Sequence, residues 1–156
     1  MLSALSLSAV GACGFTPLYG EGTSARAITG QVQVDILPGS FGFALRERQV
    51  NRLGAPNSAR YQLSLTTNIT SDQRAIRADR TITRFNLNAT TTYTLTPLSG
   101  GPPADSGTVK AFTAYSAVAS PFATRTAEQD ARRRLAVTLA DQIVQRLALT
   151  SADWAL

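Results

Sequence analysis

Between Arg60 and Leu95, apolar and polar residues alternate along two long stretches. From Arg60 to Thr70, Tyr61, Leu63, Leu65 and Ile69 share one parity, with Gln62, Ser64, Thr66 and Asn68 on the other. From Thr81 to Leu95, Phe85, Leu87, Ala89, Tyr93 and Leu95 oppose Arg84, Asn86, Asn88, Thr90 and Thr92. A repeat of two is the period of a strand whose successive side chains point to opposite faces. The sheet built from these strands therefore has one face to bury and one face of Thr, Asn and Ser that water or a polar partner must cover. The second stretch would span about 50 Å if fully extended. It is expected to bend, bulge or project beyond its neighbours.

The rest of the chain supplies the covering layer. Gln31 to Leu37 alternates as a half-buried strand, with Val32, Val34 and Ile36 inward, and Pro38-Gly39 stops it. Ser40 is placed to cap a helix running to Leu53, with Phe43, Val50 and Leu53 on its core face and Phe41 and Leu45 beside it. Gly54-Ala55-Pro56-Asn57 closes that helix. Pro97 to Gly107 is a loop, and Thr108 to Ala119 is a third β segment after it. Its alternation is poor, which suggests burial on both faces or a bulge. Ser120-Pro121 ends the sheet region, and Thr126 to Gln129 has the form of a capping box for a last helix reaching Ala148. Leu135, Leu139, Ile143 and Leu147 recur every fourth residue on that helix, widened by Ala136, Ala140 and Val144. This stripe reads as core. The expected fold is α+β, a two-layer sandwich of a four-stranded mixed sheet with two helices on one face, in the order β-α-β-β-β-α.

The N-terminus carries a different kind of signal. Met1 to Ala12 is uncharged and made of apolar and small residues, and it leads into Val10-Gly11-Ala12-Cys13, which holds the only cysteine. An aliphatic residue, two small residues and a cysteine form a bacterial lipobox. The small residues let the backbone enter a signal peptidase cleft, and the thiol takes a diacylglycerol thioether. Cleavage then frees the Cys13 amine for a further acyl chain, such as palmitate. The competing account of Cys13 is a buried apolar thiol. On the lipobox account residues 1–12 are a signal peptide, 13–30 a lipidated tether, 31–149 the folded domain and 150–156 a tail. The run before Cys13 has no Lys or Arg. It is also shorter than the ~15–30 residues of a signal peptide, so the true start is expected upstream of Met1. Two or three acyl chains anchor a protein stably to a membrane.

Charge and composition narrow the chemistry. There is no histidine, and the lone cysteine is used by lipidation, which removes Ser-His-Asp triads, thiolate–imidazole pairs and most zinc sites. No cofactor and no metal site are expected beyond the covalent diacylglycerol and N-acyl lipid on Cys13, and no enzymatic role. Of the 15 basic residues all but Lys110 are Arg, and the net charge is +5. Guanidinium groups grip phosphate and carboxylate in a planar, bidentate way. The densest group is Arg74, Arg77, Arg80 and Arg84, around the connection between the two alternating stretches. It can bind phosphates, contact carboxylates of a partner, or form a solvated hairpin tip. Nothing in the sequence points to nucleic acid.

The lipobox Cys13 followed by Gly14-Phe15, then Pro17-Leu18-Tyr19-Gly20, together with the element order, resembles the LptE family. These are lipopolysaccharide-assembly lipoproteins of the Gram-negative outer membrane. The resemblance implies an α+β domain that plugs the LptD-type β-barrel, supports its assembly and aids insertion of lipopolysaccharide into the outer leaflet. It implies attachment through Cys13 to the outer membrane, facing the periplasm and within a barrel lumen. The alternative is another envelope lipoprotein, such as an accessory subunit of a lipid-transport ABC system.

Overall fold

The computed structural model describes residues 23–76 and 82–155. The elements are α1 (Ser24–Ala27), β1 (Val32–Val34), α2 (Gly39–Leu53), β2 (Tyr61–Ile76), β3 (Ile82–Pro97), β4 (Asp105–Ser116) and α3 (Pro121–Trp154). The four strands form one sheet in the order β1-β2-β3-β4. β1 runs parallel to β2, and β2–β3 and β3–β4 are antiparallel. This is the α+β fold with a four-stranded mixed sheet that the alternation demanded, with a third, short helix added.

One sheet face is apolar because one strand parity is apolar. Tyr61, Leu63, Leu87, Ala89, Tyr93, Leu95 and Val109 are buried on it, together with Val32 and Val34. Leu63 stands opposite Leu95, and Tyr93 opposite Gly107, whose missing side chain leaves room for the phenol ring. α2 and α3 close this face with Leu45, Leu53, Leu135, Leu139, Ile143 and Leu147, all fully buried. The i,i+4 stripe of α3 is therefore core. Burying one such leucine is worth about 1.5–3 kcal/mol, so this seam supplies much of the cohesion between the layers.

Several local expectations change. β1 is three residues long and does not reach Leu37. The Asp35 N–H still bonds the Leu63 carbonyl at 3.0 Å, but the Asp35 carboxylate accepts from Gln62 Nε2 at 2.8 Å and Ser64 Oγ at 2.7 Å. That clasp fixes the exit of the strand, and Ile36 ends 83% exposed instead of inward. α2 begins one residue before Ser40, with Pro38 at the capping position and no side-chain cap. Its buried positions are Gly42, Ala44, Leu45, Gln49 and Leu53, and Phe43 is 68% exposed. The cause is a close approach: a Cβ on Gly42 would lie 2.5 Å from both Leu37 Cβ and its carbonyl oxygen. The helix turns that glycine to the preceding chain, and Phe43, one residue on, rotates about 100° away.

β2 and β3 run further than their alternation suggested. No glycine or proline lies between Arg60 and Thr96, so nothing breaks the pairing. The segment 72–84 is thus strand at both flanks, with register shifts between Gln73 and Ala75 and between Ala75 and Ile76. β4 starts and ends about three residues earlier than Thr108–Ala119, because Asp105 already pairs with Leu95. It is not buried on both faces, since Phe112 is exposed. α3 starts at Pro121, not Thr126: the Ser120 hydroxyl accepts from the Ala123 N–H at 3.4 Å and proline occupies the first turn. The Thr126 hydroxyl instead donates to the Phe122 carbonyl within the helix. The helix continues through the expected tail to Trp154, about 51 Å in all. Trp154 is held there by an edge-on contact with Tyr61 and by the Tyr61 hydroxyl, which donates to its carbonyl at 2.9 Å. The last part of the expected tether also folds: α1 lies before β1, and Ala25 and Ile28 are buried against the domain.

Candidate functional site

The face of the sheet opposite the helices has no second layer among the described residues. Parity places on it Gln62, Ser64, Thr66, Asn68, Thr70 and Asp72 of β2. It adds Arg84, Asn86, Asn88, Thr90, Thr92, Thr94 and Thr96 of β3, and Ser106, Thr108, Lys110, Phe112, Ala114 and Ser116 of β4. Short polar side chains tie neighbouring strands together. Asn88 Nδ2 donates to Asp72 Oδ2 at 2.8 Å, the Thr92 and Thr108 hydroxyls meet at 3.2 Å, and the Thr70 hydroxyl reaches the Asn88 carbonyl at 3.5 Å. The surface is a flat array of hydroxyl and amide groups, with donors and acceptors mixed. One large apolar side chain interrupts it: Phe112, 80% exposed, in register with Asn88.

Two of the arginines expected to form a group sit at the far end of the β2–β3 pair. Arg84 is exposed in β3, opposite Ser116 of β4 and Ala75 of β2. Arg74 falls in the irregular part of β2, next to the residue that pairs with Arg84. Arg77, Arg80 and Cys13 lie outside the described residues. The backbone therefore brings positions 74 and 84 together at the end of one hairpin.

A second set of eight arginines lies on α2 and α3; those of α2, Arg46, Arg48 and Arg52, are the ones expected to cover the outside of that helix. Four of these eight are committed to acids. Arg48 makes a two-pronged contact with Asp141 at 2.8 and 3.0 Å, which raises its pKa, and Arg52 approaches the same carboxylate at 3.9 Å. Arg132 pairs with Glu128 at 2.9 Å, and Arg134 with Asp130. The i,i+4 spacing of the last two pairs is the sequence signal that identifies them.

Two phenols on the helix side of the sheet have raised pKa values. Burial pushes Tyr93 upward, and the Asp105 carboxylate, 3.3 Å from its hydroxyl, adds to that. Burial also raises Tyr115, which stacks on Phe85 at 5.1 Å. No group of three or more His, Cys, Asp or Glu capable of holding a metal occurs among the described residues. No helix among them is long and apolar enough to cross a membrane. What the open face offers chemically is hydrogen-bond donors and acceptors, with charge at Arg84 and Lys110.

Comparisons with known proteins agree with this architecture. A family model described as "LptE: Lipopolysaccharide-assembly" matches residues 21–147. A structure described as a lipoprotein of Caulobacter crescentus is 25% identical, with a TM-score of 0.67 over 83% of this chain and 96% of that one. The rare lipoprotein B of Shewanella oneidensis shares the fold at 16% identity and a TM-score of 0.57, over 78% of this chain and 95% of that one. A lipoprotein B of Nitrosomonas europaea does so at 10% identity and a TM-score of 0.60, over 89% and 93%. No curated protein matches the chain. The family match spans most of the domain, from before α1 into the last turns of α3, and the chain belongs to the LptE lipopolysaccharide-assembly family.

Proposed function

We propose that this protein is a lipid-anchored component of the outer membrane that plugs the barrel through which lipopolysaccharide reaches the outer leaflet. It is held by diacylglycerol and N-acyl chains on Cys13, supports assembly of the LptD-type barrel, and acts by binding and not by catalysis. The observation that carries this reading is the open polar sheet face in a member of a lipopolysaccharide-assembly family. A wide membrane barrel has a polar interior, and a face of hydroxyl and amide groups suits such a wall. The hairpin bearing Arg74, Arg77, Arg80 and Arg84 offers guanidinium groups to the phosphates of lipopolysaccharide.

Two experiments test the proposal. Mild-detergent purification of the lipidated protein is expected to recover a large barrel protein in a fixed ratio. Consistent recovery of the lipoprotein alone, with the barrel present in the same membranes, refutes the plug. Charge reversal at Arg77 and Arg80 is expected to weaken lipopolysaccharide binding in a salt-sensitive way, while Arg125→Glu, on the exposed side of α3, leaves it unchanged. Equal binding by all three proteins removes the hairpin from the site.

A further inference from the structure

The sheet has two outer edges, and they are treated differently. On β4, Arg134 Nη2 donates to the Ala114 carbonyl at 3.3 Å. Just past the strand, the Thr124 hydroxyl meets both the N–H and the carbonyl of Val118 at 3.1 Å. Lys110 projects from the same strand, so this edge carries a charge and is capped at its Ala114 end, two devices that exposed edges commonly use.

The β2 edge lacks these devices. The Leu63 carbonyl accepts from Asp35, so the odd-numbered residues of β2 direct their backbone groups toward the β1 side. β1 pairs only with Tyr61, Gln62 and Leu63. Beyond it the N–H and C=O groups of Leu65, Thr67, Ile69 and Ser71 have no hydrogen-bond partner among the described residues. These four positions span about 20 Å, with no proline, lysine or bulge until Gln73. Leu65 and Ile69 are only partly buried there. Ile36, two residues past the end of β1, is exposed at the mouth of the same lane.

We propose that the β2 edge from Leu65 to Ser71 is a docking site for an extended segment of another polypeptide, which adds a strand in the lane that β1 vacates. β1 shows what chemistry that lane takes. Val32 and Val34 are buried toward the helices and Gln33 faces out. The incoming strand carries apolar residues toward Leu65, Ile69 and Ile36, and polar residues beside Thr66, Asn68 and Thr70. Backbone hydrogen bonds supply the attachment and the alternation sets the register. This site is separate from the arginine hairpin and does not depend on the barrel reading.

The test is residue-resolved amide exchange on the mature chain carrying Cys13→Ser. The probe is an end-capped nonapeptide alternating Val and Gln and ending in Glu. The expected result is at least tenfold slower exchange, on adding millimolar peptide, at the amides of Leu65, Thr67, Ile69 and Ser71. The amides of Thr66, Asn68 and Thr70, bonded to β3, are slow with or without peptide. Ser71→Pro, which removes one edge donor at a position where proline is tolerated, is expected to weaken the effect at least tenfold with the fold intact. No protection at the odd positions, or protection centred on β4, overturns the proposal. So does odd-position protection without peptide: in a particle of twice the mature chain's mass the occupant is a second copy, and in a monomer it is the chain itself.

Discussion

Among the described residues, Gln49 is the one whose burial costs the fold energy that a substitution can return. It lies on α2 with no exposed surface, and neither its Nε2 nor its Oε1 has a hydrogen-bond partner there. A buried donor or acceptor left unpaired costs about 1–3 kcal/mol. Methionine has the same unbranched length and no amide, and swaps of similar volume usually cost less than about 1.5 kcal/mol. Gln49→Met is therefore expected to gain about 1–2 kcal/mol, raising the melting temperature by about 2–4 °C per kcal/mol for a chain of this size. The assay is urea unfolding of the unlipidated chain, with the midpoint moving up and the slope unchanged. A loss of about 1 kcal/mol or more refutes the reasoning, because it shows that the amide is satisfied in solution. Gln49→Glu provides the second arm. An unpaired buried carboxylate is expected to destabilise the fold at neutral pH. Its folded pKa is raised, so that loss diminishes as pH falls and the group protonates. If the Gln49→Glu chain is as stable as wild type at pH 7, water occupies the site.

Gly42→Ala is expected to destabilise by at least about 2 kcal/mol in urea, although alanine is favoured in helices by about 1 kcal/mol, because the new Cβ would meet the Leu37 carbonyl at 2.5 Å. Ser120→Ala, which removes the hydroxyl that accepts from Ala123, is expected to cost about 1 kcal/mol, whereas Thr126→Ala is expected to stay within about 0.5 kcal/mol; the reverse order restores the capping box as the true helix start. The Tyr93 phenol has its pKa raised in the folded chain from 10.0 by burial and by Asp105, so its contribution is fully present below pH about 10 and is lost as pH rises through the folded value. Urea midpoints measured across that window are expected to fall, and Tyr93→Phe flattens the fall; an unchanged slope removes Tyr93 as its source. Phe112→Thr, at a side chain 80% exposed, is expected to leave the urea midpoint within about 0.5 kcal/mol and, on the plug reading, to lower recovery of the barrel partner.

What could be read from the chain alone was the pattern that a single strand or helix carries within itself. Parity alone placed Leu63, Leu87, Tyr93 and Leu95 inward and a Thr- and Asn-rich face outward, and the four-residue stripe placed Leu135 to Leu147 in the core. Failures came where a contact distant in sequence decides. Phe43 looks like a core residue until Gly42 is seen to need Leu37, and Ile36 looks inward until Asp35 is bonded to Gln62 and Ser64. Two helix starts compete at Ser120 and Thr126, and proline at Pro121 decides between them by favouring the first turn. For the site, the polar face of β2 and β3 was legible, whereas the place of Phe112 on that face was not, because the alternation of β4 is poor and its register follows from pairing with β3. The open β2 edge was not, because it depends on where β1 stops, and a side-chain clasp sets that.

The two faces of this sheet separate folding from function in a way that mutations can use. Residues at even positions from Gln62 to Thr70 and from Asn86 to Thr96 lie on the face away from the helices, so their substitution leaves the seam of Leu63, Leu95, Leu139 and Ile143 intact. A Thr or Asn replaced there loses at most a surface hydrogen bond, worth about 0.5–1.5 kcal/mol. Residues at odd positions carry the core, and truncating one of their leucines costs about 2–5 kcal/mol. Selection for a wall-facing or ligand-facing surface can therefore act on one parity without cost to the other. The exception is the β2 edge, where the backbone presented by odd residues is itself the candidate surface. Leu65, Thr67 and Ile69 there serve both purposes, and Thr67 is further tied to Thr91 by a 2.8 Å hydroxyl contact inside the sheet. Variation at these three positions is coupled to stability, and so a proline scan of the free amides, and not side-chain truncation, is what isolates the role of the edge.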